Sequence, residues 1–343
     1  MLWRLLEALA TKDFLLAMLC KATVARRMLE RIDAAGAAVT GRVHGVDGRL
    51  HFRAAASAVL LVLQGESRPT RPTRWPVYAD LDSERPVRHM GVAQGRAHAD
   101  ADAWARTRHL EGASAFVWRS GVKHDCAPVM ELSGAPGAWG NGLGERVDIE
   151  DTYLHPLLKG SDLANGRLSP VRAVVLPQRR LGDDTATLRD HAPRTFLYLD
   201  GHRARLAARK SRVYRARPDF AVFGVGPYSF APFKVAVCGL YKRLGFVRVD
   251  PFHGRPVMLD DTCTFLPCQS ADEADALLAA LRSPAAQAFF EARVFWDDKR
   301  PLGKALLQAL RLEALLPPGR GDLPAAAVSG ASAGEASPSG SFG

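Results

Sequence analysis

Asparagine is almost missing from this 343-residue chain: only Asn141 and Asn165 occur, and neither is followed by proline. Cysteine is sparse. Cys20, Cys126, Cys238, Cys263 and Cys268 form no Cys-x-x-Cys pair and have no histidine cluster beside them, which argues against a structural zinc site. Their odd number and apolar surroundings fit a reducing compartment, the cytoplasm. No apolar run approaches the roughly 20 residues that span a bilayer, so no membrane partner is expected. Glu7, Lys12 and Asp13 interrupt the opening apolar stretch, which excludes a secretory signal. No nucleophile motif and no dinucleotide fingerprint is present. The acidic neighbours Asp260/Asp261 and Asp297/Asp298 point to different sides of a strand, so no metal pair is expected from them.

What remains is a globular composition, 47% hydrophobic, with a net charge of +10. That excess fits a polyanionic partner such as nucleic acid, or an arginine-rich background without a partner. Leu2, Leu5, Leu6 and Leu9 recur at helical spacing. Phe14–Leu19 reads as a strand buried on both sides. A helix over 22–35, capped by Gly36, follows, then strands at Val39–Val46 and Ala56–Leu63. Residues 1–64 are therefore an α/β layer with only about three strands, too small to be stable alone. They must pack on the rest of the chain or on strands supplied by a partner.

Residues 65–117 read as a connector with short strands (Val77–Leu81, Val87–Val92) and a helix capped at Asp100 or Asp102. Residues 133–147, SGAPGAWGNGLGERV, read as a flexible loop. A long helix is expected from Pro193 to about Lys210. Strands are expected at Phe220–Phe223, Lys234–Cys238, Phe246–Val249, Val257–Leu259 and Thr264–Leu266. Helices are expected over 272–281 (capped near Ser270), 285–292 and 302–315. Residues 317–343 hold few large apolar groups and are expected to be a disordered tail.

Four polar segments stand out. SGVKHDC brings Arg119, Lys123, His124 and Asp125 together; it is either a self-satisfied turn or a site that binds phosphate and orients a base. KGSDLANGR offers Lys159, Ser161, Asp162, Asn165 and Arg167, side chains that hold phosphates and read base edges. RKSRVYRARP places Arg209, Lys210 and further basic residues around Tyr214, a pattern suited to a nucleic-acid backbone with one stacking contact. FGVGPYSFAPFK carries Tyr228, Ser229, Phe230 and Lys234 between glycines and prolines. Its aromatics are either core or contact surface.

These segments, with WRSGVKHDCAPVMEL, EDTYLHPLLKGSDLANGR, DDTCTFLPC and FWDDKRP, resemble the C-terminal half of adenine-specific, S-adenosylmethionine-dependent DNA methyltransferases. In that family FLLAMLCK would be the strand after the catalytic motif, and SAVLLVL the strand lining the base pocket. The resemblance implies a fold of α/β class, an incomplete Rossmann-like methyltransferase sheet in 1–64 followed by an α+β target-recognition domain in 118–316. It implies double-stranded DNA as partner, S-adenosylmethionine as the family's cofactor, and the 16 polar and aromatic residues named above as DNA contacts. The family's Asn-Pro-Pro-aromatic tetrapeptide and its Gly-rich cofactor loop are missing, so no catalytic or cofactor-binding residue is assigned. The expectations are a truncated methylase whose N-terminal half is encoded elsewhere, a DNA-binding specificity subunit of a split enzyme, or an inactive remnant.

Overall fold

The computed structural model describes residues 2–9, 12–53, 57–65, 74–215 and 217–317. The expected tail beyond residue 317, and most of the Pro/Arg-rich connector 65–75, lie outside the described residues.

Three sheets carry the chain. The first uses β1 (Phe14–Lys21), β2 (Val39–Asp47), β3 (Ser57–Gly65), β4 (Arg74–Tyr78), β5 (Arg88–Ala93) and β6 (Arg96–His98), in the spatial order β1-β3-β2-β4-β5-β6. Helices α1 (Leu2–Leu9) and α2 (Ala22–Ala34) flank β1. α2 buries Ala25, Met28, Leu29 and Ile32 at helical spacing, and Gly36 follows its end at a φ of +60°. β3 lies antiparallel between β1 and β2, so β1 and β2 run parallel, and β4 adds parallel to β2. The first 64 residues thus gain three strands from the segment expected to be a connector.

β1, expected to be buried on both faces, is an edge strand among the described residues. It alternates half-buried and exposed positions, and Leu15 is 68% exposed. The neighbouring strand β3 is paired on both sides, and there Leu61, Val62 and Leu63 are all buried. A continuous apolar run does not by itself distinguish the middle of a sheet from its rim.

The remaining strands are β7 (Arg119–Ser120), β8 (Glu131–Ser133), β9 (Trp139–Asn141), β10 (Arg146–Val147), β11 (Leu154–Leu158), β12 (Arg172–Val175), β13 (Phe233–Cys238), β14 (Val247–Val249), β15 (Met258–Leu259) and β16 (Cys263–Cys268). They make one sheet in the order β10-β9-β8-β12-β11-β15 and another in the order β14-β13-β16-β7. The stretch read as a flexible loop, 133–147, folds as the hairpin of β9 and β10 against β8. Asn141 fixes its turn: Oδ1 accepts from Leu143 N and Glu145 N, and Nδ2 donates to Glu145 and Tyr198. The long helix expected from Pro193 is broken at Gly201–His202 into Pro193–Gly201 and Arg203–Ala207. Phe220–Phe223 is no strand; Phe220 has a φ of +63°. The helix expected over 302–315 is only Lys304–Gln308 plus a short 3-10 turn at Leu312–Leu315.

The C-terminal helices Ala271–Arg282, capped by Ser270, and Pro284–Glu291 cover β13 and join the first sheet to the rest. Arg26 of α2 donates two bonds to Asp297, at 2.8 and 2.7 Å, and a further one to Asp298. Its guanidinium lies 4.2 Å from the centre of the Phe295 ring. Arg293 bonds Thr107 and Glu111 from the other side of the joint.

Candidate nucleic-acid interface

The polar segments singled out from the sequence converge on one place. After β7, Gly121 N donates to Cys263 O and Val122 N to Leu259 O, which ties SGVKHDC to the strand region around β15 and β16. Lys123 and Phe223 then exchange a reciprocal pair of backbone bonds of 2.8 Å. The crossing demands two glycines. A Cβ on Gly224, whose φ is +67°, would sit 2.1 Å from Gly121 O, and a Cβ on Gly121 would sit 2.0 Å from Asp260 O. Asp125 follows in the left-handed region at a φ of +52° and is exposed.

Beneath this crossing lies an ionic cluster. His124 Nδ1 accepts from Cys126 N at 3.2 Å, so Nε2 carries the proton toward Glu131, 3.3 Å away. Lys159 Nζ is 2.6 Å from the other Glu131 oxygen. Burial pushes the Glu131 carboxyl up, but the bonds from His124 and Lys159 outweigh it and hold the group below the ordinary range. Asp162 accepts from Lys159 N and from Arg172, both at 2.9 Å, and pairs with Arg167 at 3.5 Å. The two segments expected to contact nucleic acid are thus bonded to each other.

Around the cluster, arginines stack on aromatic rings. Arg209 lies 3.7 Å from the Tyr214 ring centre, Arg179 4.2 Å from Phe230, Arg119 4.6 Å from Tyr228, and Arg217 5.7 Å from Phe223. Arg209 also donates to the carbonyls of His124 and Ala221, and Tyr214 donates its hydroxyl to Lys123 O at 3.0 Å. Burial raises the Tyr214 phenol, helped by Asp125, and lowers the Arg209 guanidinium. Pairs of a guanidinium with an aromatic ring are a combination that suits phosphates and bases.

Not every expected contact residue is at the surface. Lys234 is 1% exposed; its ammonium donates to Ala231 O at 2.7 Å and faces the Phe265 ring. Burial lowers its pKa to about 7. Ser229 is buried and pins its own turn, accepting from Gly226 N and donating to Gly224 O. His124 and Asp162 are buried in the ionic cluster. These four hold the site together rather than face a ligand: apolar packing on both sides of β13, and pairing around Glu131, draw them inward. Asp125, Asn165, Arg167 and Lys210 are exposed, and Arg119, Lys123, Lys159, Ser161, Arg209, Tyr214, Tyr228 and Phe230 are half-buried. Sequence reasoning missed Arg179 and Arg180. Their signal, adjacent arginines between an apolar strand and a Leu-Gly-Asp-Asp turn, is faint in an arginine-rich chain.

A cavity of about 470 Å³ lies where β1, β2 and β4 end, at the start of α2. Carboxyl ends of parallel strands are where α/β sheets hold ligands. S-adenosylmethionine would require a carboxylate for its ribose hydroxyls and free backbone donors for its own carboxylate. Among the described residues lining the cavity, Asp47 Oδ1 accepts from Arg49 N and Leu50 N, and Asp297 pairs with Arg26. Tyr78 is stacked on His44 at 4.6 Å. Asp47 is the exposed carboxylate of this cavity that could meet ribose hydroxyls. Asp260 accepts from Gly160 N and Thr262. No group of three or more metal-ligating side chains occurs among the described residues, and no described helix is long and apolar enough to cross a membrane.

No family model matches the sequence. Among curated proteins the chain is 37% identical over 318 residues to the type II methyltransferase M.NspV from a Nostoc species; the match covers 92% of this chain and 66% of that protein. Among solved structures it is similar to the type IIL restriction-modification enzyme MmeI, solved in complex with DNA, with a TM-score of 0.52 and 11% identity over 89% of this chain and 39% of that one. The chain is therefore a homologue of a type II methyltransferase with a fold like part of a restriction-modification enzyme, and it spans about two thirds of M.NspV's length.

Proposed function

We propose that this chain is the DNA-recognition part of a type II DNA methyltransferase system. The observation that carries the reading is the row of arginine–aromatic stacks gathered by the Lys123–Phe223 crossing. The net charge of +10 supports it, as do the homology to M.NspV and the likeness to a fold solved with DNA. In this reading the partner is double-stranded DNA. The chemistry served is N6-methylation of adenine in a restriction-modification setting, with S-adenosylmethionine as donor. The methyl-transfer step itself uses residues this sequence does not contain, since no Asn-Pro-Pro-aromatic motif occurs in it.

The test is electrophoretic mobility of the purified chain on duplex DNA across a salt series, beside a methylation assay with labelled S-adenosylmethionine. If the surface neutralises about five phosphates, affinity falls roughly 10²–10³-fold between 50 and 200 mM salt. No binding at low salt would remove the proposal. Robust methylation by the chain alone would remove its second half. One variant of this reading is a specificity subunit that works with a catalytic half on another chain. Restored methylation on mixing the two chains is its signature.

A further inference from the structure

The loop after β12 and the turn before β13 face each other across a cavity of about 460 Å³ lined by Arg179, Arg180, Asp183, Pro227 and Phe230. Both walls are built rather than loose. Gln178 donates to Arg180 O at 2.8 Å and accepts from Val222 N, which pins the first loop. Ser229 pins the second by bonding Gly226 and Gly224. The floor is the Phe230 ring, backed edge-on by buried His155 at 5.3 Å. Burial, with Arg255, Arg179 and Lys234 near it, lowers His155 to about 4, so the backing is neutral.

The cavity carries two guanidiniums against one carboxylate. Asp183 is its carboxylate, but its Oδ2 accepts from the backbone N–H groups of Arg179 and Arg180, at 3.0 and 2.8 Å. No salt bridge joins it to either guanidinium among the described residues. The acid thus shapes the loop and leaves both cations available. The Arg179 guanidinium sits over the Phe230 ring at 4.2 Å from its centre, which restricts its conformational freedom, and the residue is exposed to solvent.

We propose that Arg179 reads guanine in the bound duplex, donating its fork to O6 and N7 while Phe230 holds the guanidinium in plane. The inference rests on the DNA-recognition reading and deepens it. An aromatic floor favours a base over a phosphate. A phosphate needs only a mobile cation, whereas bidentate reading of guanine needs a fixed, oriented fork. Arg180, which stacks on no ring, serves as the backbone-contacting neighbour.

The experiment is selection of bound sequences from a random duplex library with the full chain, followed by titration of the selected site and of a non-selected duplex with wild type, Arg179→Ala, Arg179→Lys and Arg180→Ala. Arg179→Ala and Arg179→Lys are expected to lose preference for guanine at one position, with roughly 10- to 100-fold weaker binding to the selected site. Binding to the non-selected duplex and the salt slope should stay near wild type. Arg180→Ala should keep the selected sequence and reduce the salt slope by about 1. Uniform weakening on all duplexes with a shallower slope for Arg179→Ala would identify a phosphate contact and overturn the proposal. So would an unchanged selected sequence. A wild-type chain that binds DNA without any guanine preference would overturn this inference alone, whereas a wild type that binds no DNA would remove the functional reading beneath it. Arg179 is exposed, and matching thermal midpoints of the variants confirm the fold.

Discussion

Replacing Lys234 by methionine should remove one source of the pH dependence of this protein's stability. The ammonium is 1% exposed and has one partner, Ala231 O. Burial lowers its folded pKa to about 7 from the ordinary 10.5, slightly opposed by Cys268. Between those values the unfolded chain binds a proton that the folded chain does not. Stability therefore rises with pH across the window, and below pH 7 the full penalty stands. At 1.36 kcal/mol per unit, the shift amounts to about 4 kcal/mol between pH 6.5 and 10. Methionine matches the stem and does not titrate, but it leaves the Ala231 carbonyl without its donor, at about 1–3 kcal/mol. The variant should be more stable than wild type by about 2–4 kcal/mol at pH 6.5, and no more stable than wild type near pH 10. Urea unfolding followed by circular dichroism at both values measures this. Parallel stability-against-pH curves for the two proteins would refute the reasoning. DNA binding supplies a second check: a buried Lys234 leaves the salt slope of the variant unchanged.

Arg26→Met removes the cation shared by Asp297 and Asp298 at the joint; because both carboxylates are partly exposed it should cost about 1–3 kcal/mol and lower the thermal midpoint, with a change under 0.5 kcal/mol counting against the joint. The Glu150 carboxyl, raised by burial but bonded by Thr195 and Arg194, sits at about 2. Its contribution is present above the unfolded value of 4.5 and fades as pH falls toward 2, so Glu150→Gln should flatten acid unfolding in that window. Gly224→Ala should force the two crossing loops apart, costing about 2 kcal/mol or more and abolishing DNA binding; a wild-type thermal midpoint would count against the close approach. Lys210→Ala, at an exposed cation, should reduce the salt slope of DNA binding by about 1 without moving the thermal midpoint.

The first sheet was readable because its elements are long. Eight- and nine-residue strands alternate with a 13-residue helix whose apolar positions repeat cleanly. The second sheet was not. β8, β9 and β10 are two or three residues each, and two of them sit in a glycine-rich run whose composition signals loop. β11 carries Pro156, which argues against a strand with neighbours on both sides, yet it pairs with β12 and β15. Among the candidate contacts, sequence chemistry found the segments but not the direction of their side chains. Lys234 has the type of a phosphate ligand and the position of a core residue. Arg179 shows the converse: nothing nearby in sequence reveals that Phe230, some 50 residues on, lies beneath it.

The Arg26–Asp297 joint spans 271 residues of sequence, and this sets an order of events at the ribosome. At about 5–20 residues per second, the leading helix and sheet emerge roughly 15–50 s before the aspartates that neutralise them are made. During that interval a guanidinium destined for the interior stays hydrated, and the apolar flank meant for Phe295 stays wet. Nascent chains halted before residue 295 should therefore depend on chaperone holding, and release should coincide with the arrival of Phe295, Asp297 and Asp298.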